Sequence, residues 1–239
     1  MNLCDLTLAT PEENLACDEV LLDLCEAGQC DELLRLWALP RYFVVLGYAN
    51  QAATEANLPF CQKHTIPVLR RCTGGGAILQ GPGVLNYSLI LRIPDSGPLH
   101  SIPATNRFIL ERLRDTLAPL LMAPVEWQGQ TDLAIGGLKF AGNAQRRHRR
   151  CLLFHGSFLL HLDLSLVEKA LPLPSRQPGY RLNRSHSDFL ININLPPHTL
   201  KAALSKTWNA TDPLAPLPLD QITRLAHEKY ALDEWNLRL

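Results

Sequence analysis

A chain of 239 residues is long enough to bury about 70% of the surface that its unfolded form exposes. Its 23 basic and 23 acidic residues cancel, which argues against nucleic acid or an anionic membrane as a general partner. The seven cysteines form no CxxC pair, and the chain has no basic, apolar leader and no apolar run of bilayer length. We therefore expect reduced thiols and a cytoplasmic protein.

The first half of the chain predicts a helix followed mainly by strands. Thr10 and Glu13 form a capping box with Pro11 at the first helical position, so we expect a helix that begins there and ends at Gly28. Hydrophobic runs predict the next elements. These are strands at 33–39 and 42–48, a short helix near 51–63, and strands at 66–72 and 84–93.

The second half predicts a long helix over about 103–121, limited by Pro119, and then a series of strands. Residues 172–185 are rich in proline and arginine and predict an ordered surface loop. No repeat or linker divides the chain, so we expect one α+β domain over residues 1–239, with mixed, largely antiparallel sheets flanked by helices. The strands are expected at 125–128, 131–135, 138–145, 151–156 and 157–164, and the closing helices near 198–208 and 219–230.

Three consecutive glycines, Gly74 to Gly76, follow Arg70 and Arg71 between two strand-like runs. Glycine accepts positive φ and lets a ligand approach the main chain, so the loop could hold a phosphate or carboxylate on its N–H groups. A simple tight turn explains the same residues. Because side chains alternate along a strand, we expect only one of the two arginines to face a ligand. No Gly-Lys-Ser/Thr follows, and a strand comes next, which argues against the P-loop and the dinucleotide fingerprint.

A second glycine-rich stretch surrounds Lys139. Gly136 and Gly137 predict a hairpin, and strand alternation places Lys139 on the face opposite Phe140. A solvated edge lysine is one interpretation. The small residues at 141–144 favour another, in which the backbone lies against a ligand or a neighbouring strand.

Together, the two stretches resemble the lipoate–protein ligase family, whose catalytic fold is shared with biotin–protein ligases. The resemblance covers almost the whole chain, and the paired RRxTGGGA and KxxGNA motifs are its specific features. It implies a biotin/lipoyl-ligase-like catalytic domain without the C-terminal accessory domain of two-domain ligases. The matching segments are RRCTGGGA (70–77), LNYS (85–88), TDL (131–133), KFAGNA (139–144), HGS (155–157), NLACDE (14–19) and EWN (234–236).

The resemblance implies an enzyme that uses ATP and Mg²⁺ to convert lipoate or octanoate into an acyl-adenylate. The acyl group then passes to a lysine of an acceptor lipoyl domain. Lys139 would be the catalytic cation, since both steps build negative charge on oxygen. Asp132 would help to hold Mg²⁺ or the adenylate, or would only hydrogen-bond at its strand end. The residues implied to contact substrate or adenylate are Arg70, Arg71, Gly74, Gly75, Gly76, Ala77, Asn86, Asp132, Gly142, Asn143, Ala144, His155 and Gly156.

The chain departs from the family pattern in three ways. Gln80 stands where many relatives have histidine, and an amide cannot act as a base. The family's octanoyltransferases carry a nucleophilic cysteine in segments that here read VEWQGQT (125–131) and VEKALPLPS (167–175), which leaves Cys72 and Cys151 as the remaining thiol candidates. The accessory domain that helps adenylation is missing, so a separate subunit or a shorter substitute is expected.

Several interpretations stay open. The run QRRHRR (145–150) fits either a solvated hairpin turn or a docking site for an acidic acceptor domain. Arg176, Arg181 and Arg184 fit a cover over phosphates or part of the acceptor rim, and His155 also fits a core position. Two other functions remain: an octanoyl or lipoyl acyltransferase with a protein-bound donor, and a non-catalytic lipoyl-binding scaffold. Neither nucleic acid nor a membrane is expected as a partner.

Overall fold

The computed structural model describes residues 1–213 and 216–239 and has an α+β architecture with two sheets. The strands are β1 (Asn2–Asp5), β2 (Leu33–Trp37), β3 (Phe43–Leu46), β4 (Val68–Arg70), β5 (Ile78–Gln80), β6 (Val84–Arg92), β7 (Glu126–Gln128), β8 (Asp132–Ile135), β9 (Leu138–Arg147), β10 (Cys151–Leu159) and β11 (Asp212–Pro213). The helices are α1 (Pro11–Glu26), α2 (Ala52–Glu55), α3 (Leu58–Lys63), α4 (Ile102–Leu121), α5 (Leu164–Ala170), α6 (His186–Phe189), α7 (Pro197–Thr207), α8 (Leu219–Leu225), which continues as a π-helical turn (Ala226–Tyr230), and α9 (Asp233–Asn236).

The large sheet has the strand order β11-β1-β2-β6-β10-β9-β8-β7. β1 is parallel to both its neighbours, and the other neighbouring pairs of this sheet are antiparallel. The small sheet has the order β4-β3-β5, with β3 parallel to β4 and antiparallel to β5. This arrangement confirms the predicted class of mixed, largely antiparallel sheets flanked by helices.

One face of the large sheet carries polar side chains in two rows. In the first row, Asn86 of β6 is opposite Ser157 of β10, and the row continues through Gly142 of β9 to β8. In the second row, Ser88 is opposite His155. Residues two apart on a strand share a face, so both rows point to the same side. The small sheet and α1 lie over this side, whereas α4 and α7 pack against the apolar side chains of the other face.

The predicted start of the first helix is confirmed. The Thr10 hydroxyl accepts a hydrogen bond from the Glu13 N–H at 3.2 Å, and a Glu13 carboxylate oxygen accepts one from the Thr10 N–H at 3.0 Å. Pro11 is the first helical residue, and Gly28 has a φ of 73° just beyond the end. Across residues 1–213 and 216–239, no helix combines the length and apolarity needed to span a bilayer.

Three predicted elements are wrong in their bounds. Residues 151–156 and 157–164 were expected to form two strands, but β10 runs unbroken to Leu159, because it is paired on both sides by β6 and β9 across Gly156. The expected helix at 51–63 is two short helices. Half of the QRRHRR run is strand, since β9 extends to Arg147 and residues 148–150 lie beyond its end.

Candidate functional site

A cavity of about 990 Å³ lies between the small sheet and the polar face of the large one. Its walls come from the glycine loop, from β6, β9 and β10, and from residues 171–190. Most of the residues selected from the sequence motifs line it. They are Arg71, Gly74, Gly75, Gly76, Ala77, Asn86, Asp132, Lys139, Gly142, Asn143, Ala144, His155 and Gly156.

Arg70 is the exception, and its expected ligand contact is corrected. Its side chain is fully buried and does not line the cavity. Nη1 donates to the carbonyls of Gly47, Tyr48 and Asn50, while Nε and Nη2 donate to carbonyls in residues 235–236. Arg70 therefore ties the loop at residues 47–50 to α9, and only its neighbour in the sequence, Arg71, faces the site.

Arg71 shapes the glycine loop from inside. Its Nη2 donates to the Gly74 and Gly76 carbonyls, the latter at 2.9 Å. Burial lowers the pKa of Arg71 to about 10, so the guanidinium remains charged at neutral pH. The carbonyls of Gly74 and Gly76 turn toward this cation, and among the described residues no hydrogen-bond acceptor is found for the N–H groups of Gly74, Gly75 and Gly76. The loop thus has N–H donors available for an anion, and of its three glycines only Gly75 has a positive φ (92°).

A buried chain of polar groups lies behind the loop. Arg35 donates to Asp18 Oδ1 at 2.6 Å, and the Ser88 hydroxyl donates to Oδ2 at 2.7 Å. His155 Nδ1 lies 3.3 Å from Asp18 Oδ2, and its Nε2 lies 2.7 Å from the Thr73 hydroxyl. Burial would raise the pKa of Asp18, but the Arg35 cation and the hydrogen bonds from His155 and Ser88 outweigh it and hold the pKa below its usual value. Both nitrogens of His155 are engaged, so the ring is held in place rather than free to act as a base.

This chain reaches the glycine loop through Thr73. The Thr73 hydroxyl accepts from Arg71 Nε at 3.0 Å. Because this hydroxyl accepts from Arg71, its own proton can be donated to His155 Nε2. A neutral His155 ring then carries its proton on Nδ1, which faces Asp18. Helix α1, strand β10 and the loop are therefore joined by one buried network. We call it the Asp18 relay: Asp18, His155, Thr73 and Arg71.

An irregularity in β9 directs Lys139 into the cavity. Leu133 of β8 pairs with Ala141, but the next residue of β8 pairs with Lys139, which leaves Phe140 without a partner. This bulge shifts the alternation by one residue, so the side chain of Lys139 lies on the same face as Gly142. A regular strand would place them on opposite faces.

The bulge brings Lys139 against a carboxylate. Lys139 Nζ lies 2.7 Å from Asp132 Oδ1, and the Tyr180 hydroxyl donates to Oδ2 at 2.9 Å. A Cβ at Gly142 would lie 2.9 Å from Nζ, so the missing side chain leaves space for the lysine to cross the strand. The Lys139 side chain is 28% exposed and belongs to an interior strand, which argues against a solvated edge lysine. The site holds a fixed, half-buried cation.

Asn143 interlocks with Gly156 in the neighbouring strand. Its Oδ1 accepts from the Tyr87 hydroxyl at 2.6 Å, and its Nδ2 donates to the Thr131 carbonyl at 2.6 Å. A Cβ at Gly156 would overlap the Asn143 side-chain oxygen. The GNA and HG motifs therefore fit together, and the Asn143 amide is used by the fold.

Gln80 occupies the position where histidine was expected from the resemblance. Its Nε2 donates to Asn86 Oδ1 at 2.9 Å and to the Ser157 hydroxyl at 2.8 Å, while Asn86 Nδ2 donates back at 3.0 Å. All three side chains are buried. They form a closed amide and hydroxyl network in the cavity wall, which supports the expectation that Gln80 performs no proton transfer.

Unpaired polar atoms collect around the cavity. Among the described residues, five buried side-chain nitrogens and oxygens have no partner, and three of the five belong to the cavity-lining residues Trp37, Gln177 and Arg181. Buried polar groups normally have partners, so these atoms point to a ligand that supplies them. Desolvation lowers the pKa of Arg181, which is only 4% exposed. Sequence reasoning missed Trp37, Gln177 and Tyr180, because no local pattern marks them.

The three arginines of the 171–190 region take different positions. Arg176 is exposed at the cavity wall and Arg181 is buried in it. Arg184 does not line the cavity, because its guanidinium donates to the carbonyls of Gly137 and Tyr180.

The QRRHRR segment is paired within the chain. Arg146 contacts Glu19 at 2.9 Å, Arg147 donates to the Leu99 carbonyl at 2.6 Å, and His148 contacts Asp23. These contacts hold Arg146, Arg147 and His148 within the chain, whereas Arg149 is exposed, so the docking interpretation stays a prediction.

The donor set does not form a resident magnesium site. Both oxygens of Asp132 are engaged, and Glu55, the other carboxylate of the cavity wall, accepts a hydrogen bond from Ser175. The described residues contain no cluster of three or more histidine, cysteine or acidic side chains arranged to hold a metal. Mg²⁺ commonly binds through one or two carboxylates together with substrate phosphates. We therefore treat it as a counter-ion of a nucleotide substrate.

None of the seven cysteines, all of which lie in the described part of the chain, lines the cavity. Burial raises the pKa of Cys72 to about 11 and that of Cys151 to about 12. Both are therefore protonated at neutral pH and lie outside the cavity wall.

Comparisons with known proteins agree with this geometry. The family described as the lipoyl protein ligase A/B catalytic domain matches residues 10–195. The octanoyltransferase LipM of Brevibacillus brevis is 30% identical over 96% of this chain and 95% of its own length. Lipoate-protein ligase A subunit 1 of Thermoplasma acidophilum is 26% identical over 98% of this chain and 96% of its own length. A crystal structure of lipoate-protein ligase A bound with ATP shares the fold, with a TM-score of 0.82 at 24% identity over 99% of this chain and 98% of that one. The chain belongs to the lipoyl protein ligase A/B catalytic domain family, whose members include lipoate–protein ligases and octanoyltransferases.

Proposed function

We propose that this protein attaches lipoate or octanoate to a lysine of an acceptor lipoyl domain through an acyl-adenylate made from the free acid and ATP. One observation carries the proposal: the cavity combines the Lys139 cation with the free N–H groups of the glycine loop, and no cysteine lines it. The names of the relatives support acyl attachment in general. We take residues 1–239 as one catalytic domain, since the large sheet incorporates both β1 and β11.

In the first step, a carboxylate oxygen of the acid attacks the α-phosphate of ATP, and pyrophosphate leaves. Negative charge increases on the phosphate oxygens. Lys139 has three N–H donors, and Asp132 accepts only one, so the others remain for those oxygens. The N–H groups of Gly74 to Gly76 are further donors. Such preorganised donors act more strongly in a water-poor site than in solvent.

In the second step, the amine of the acceptor lysine attacks the acyl carbon and AMP leaves. The new C–N bond forms while the C–O bond to phosphate breaks, and the amine releases a proton. Charge develops on the former carbonyl oxygen. A fixed cation stabilises that oxygen without reorganisation, and Lys139 fits this role.

The remaining walls fit the two ends of an acyl-adenylate. The unpaired guanidinium N–H of Arg181 suits a phosphate, and the unpaired amide oxygen of Gln177 suits the exocyclic amine of a base. Apolar side chains suit an acyl chain. They include Leu15, Trp37, Val45, Ile78, Leu159 and Leu162.

A second candidate is transfer of an octanoyl or lipoyl group from a carrier protein, as the 30% identity to LipM suggests. This route lacks the expected nucleophile, since the cavity wall has no thiol. A stable thioester on Cys72 or Cys151 that is lost in the serine variant would favour it.

The name of the Thermoplasma relative, subunit 1, raises a further possibility. In this alternative, adenylation by this chain requires a separate accessory subunit, whereas transfer from a ready-made adenylate does not. A lipoyl-binding scaffold without activity would support neither reaction.

Intact-mass measurement on an acceptor lipoyl domain tests these alternatives. The protein is incubated with ATP, Mg²⁺ and lipoate or octanoate, with synthetic lipoyl-AMP alone, or with octanoyl carrier protein and no ATP. Acylation from ATP and free acid supports the proposal, and acylation from lipoyl-AMP alone indicates a missing subunit. Acylation only from the carrier protein would overturn the ligase assignment in favour of transfer.

A further inference from the structure

Three cysteines lie together at the end of α1, outside the cavity. Cys25 is near the last turn of the helix, Cys30 follows in the next loop, and Cys151 begins β10. The Cys25 and Cys151 sulfurs are 3.1 Å apart, about 1 Å more than a disulfide bond. Cys25 and Cys151 are buried, whereas Cys30 is partly exposed.

The backbone around this sulfur contact is held by neighbouring groups. A Glu26 side-chain oxygen accepts from the Cys151 N–H at 2.8 Å and from the Arg150 N–H at 2.9 Å. The Arg150 guanidinium donates to the Glu26 carbonyl. The end of the helix is therefore fixed to the start of the strand next to the two sulfurs, so a covalent link requires only small side-chain rotations.

The surroundings distinguish Cys25 from the other thiols. Hydrogen bonds from Cys30 and Cys151, together with the Arg92 cation, outweigh burial and lower the pKa of Cys25 below its usual value. Burial raises the pKa of the thiols outside this cluster, namely Cys4, Cys17, Cys61 and Cys72. A thiolate attacks peroxides, whereas a thiol does not.

We propose that Cys25 and Cys151 are a modification site, at which a hydroperoxide converts two thiols into a disulfide. The Cys25 sulfur attacks the peroxide, so an S–O bond forms and the O–O bond breaks with release of an alcohol or water. Cys151 then attacks the sulfenic acid. An S–S bond forms, the S–O bond breaks, and the leaving hydroxide takes the Cys151 proton as water. The two thiols lose two electrons, and the peroxide gains them.

The link would connect α1 to β10 across a long segment of chain. Disulfides that close long loops restrict the unfolded chain most, so the oxidised protein should unfold at a higher temperature. The sulfurs already touch and the cavity lies elsewhere, so the fold around the Asp18 relay should not change. Cys30 is partly exposed, and residues Ala27 to Gln29 beside it are exposed, so the cluster lies close to solvent.

Peptide mapping after oxidation tests the assignment. The full chain is treated with hydrogen peroxide, unfolded in iodoacetamide and digested. We expect a peptide linking Cys25 to Cys151, and a rise in melting temperature of about 5 °C or more that dithiothreitol reverses. The link and the rise should disappear in Cys151→Ser and persist in Cys61→Ser, in which an isolated buried thiol is changed. If Cys151→Ser does not fold, Cys151→Ala is used in its place for the same measurement.

A Cys25–Cys30 peptide would overturn the pairing, and Cys25 recovered as free thiol while other cysteines are oxidised would overturn the site. Sulfinic acid on Cys25 without a link would do the same, because it would mean that Cys151 cannot reach the oxidised sulfur.

Discussion

The two glycine-rich regions of the cavity use glycine for different purposes. In the loop after Arg71, the main chain itself faces the ligand space, and Gly75 provides a left-handed residue there. In β9 and β10, Gly142 and Gly156 have ordinary strand conformations but leave room for the side chains of Lys139 and Asn143. The first region depends on backbone conformation and the second on side-chain volume. A substitution in the first region should therefore strain the backbone, whereas a substitution in the second should cause steric overlap with a neighbouring side chain.

The largest effect is expected on stability, at Gly156→Ala. The added methyl would overlap the Asn143 oxygen and lie 2.8 Å from the Tyr87 ring, between two central strands. We expect a loss of about 3 kcal/mol or more in the free energy of unfolding, measured by denaturant titration. The double variant Gly156→Ala/Asn143→Ser should recover part of this loss. An unchanged denaturation midpoint for Gly156→Ala would contradict the conclusion that this region depends on side-chain volume.

Lys139→Ala should leave the fold intact and lower the acylation rate by about 10²-fold, the order seen when one charge-stabilising donor is removed. Lys139→Arg should restore little, because a planar guanidinium cannot occupy the position of a compact ammonium beside Asp132. Single-turnover rates and melting temperatures on the same samples measure both quantities. The exposed Lys206→Ala is the matched control. Acylation by Lys139→Ala near the wild-type rate would contradict the proposed mechanism.

Gly75→Ala tests the loop. At a φ of 92° a side chain is strained, and the methyl would lie 2.7 Å from Arg71 Nη2. We expect binding of a lipoyl-AMP analogue, measured by calorimetry, to weaken by about 20-fold, with about 1 kcal/mol of strain in the fold. Gly74→Ala has open space and should keep its melting temperature. Normal binding with a lower melting temperature would mean that the loop is only a structural turn.

The smallest effect is expected at Thr73, which connects the loop to the Asp18 relay. Thr73→Val keeps the shape but removes the hydroxyl that joins Arg71 to His155. Loss of one such buried partner costs about 1–3 kcal/mol, and we expect the analogue to bind about fivefold more weakly. Thr73→Ser should behave as wild type. Equal binding by the valine and serine variants would show that the loop keeps its shape without the relay.

Local chemistry predicted much of the fold. The capping box at Thr10 placed the start of α1, and Gly136-Gly137 placed the hairpin between β8 and β9, because both depend on neighbouring residues. The resemblance to a known family supplied the cavity residues. Alternation also indicated that only one of Arg70 and Arg71 would face a ligand, but not which one. That choice depends on carbonyls at residues 235–236, which lie far away in the sequence.

Other features follow from contacts between distant segments. The bulge at Phe140 reverses the alternation that any regular strand pattern assumes. The Asp18 relay joins a helix, a loop and a strand that are separated by up to 137 residues. The sequence pattern predicted that a strand ends at Gly156. It could not show that the Asn143 side chain of another strand occupies the space where a Gly156 side chain would lie. A single sequence contains no local signal for these pairings.

The contacts of the buried Arg70 side chain have a consequence for folding kinetics. Its guanidinium holds the loop at residues 47–50, and its partners in residues 235–236 are 165 and 166 positions away. Contacts with so large a sequence separation form late, since the loop-closure entropy must be overcome first. The strands β2, β6, β8, β9 and β10, which pair over much shorter separations, can therefore assemble before these Arg70 contacts form. In refolding, strand formation should precede recovery of ligand binding, with the interval set by docking of the segment around Trp235.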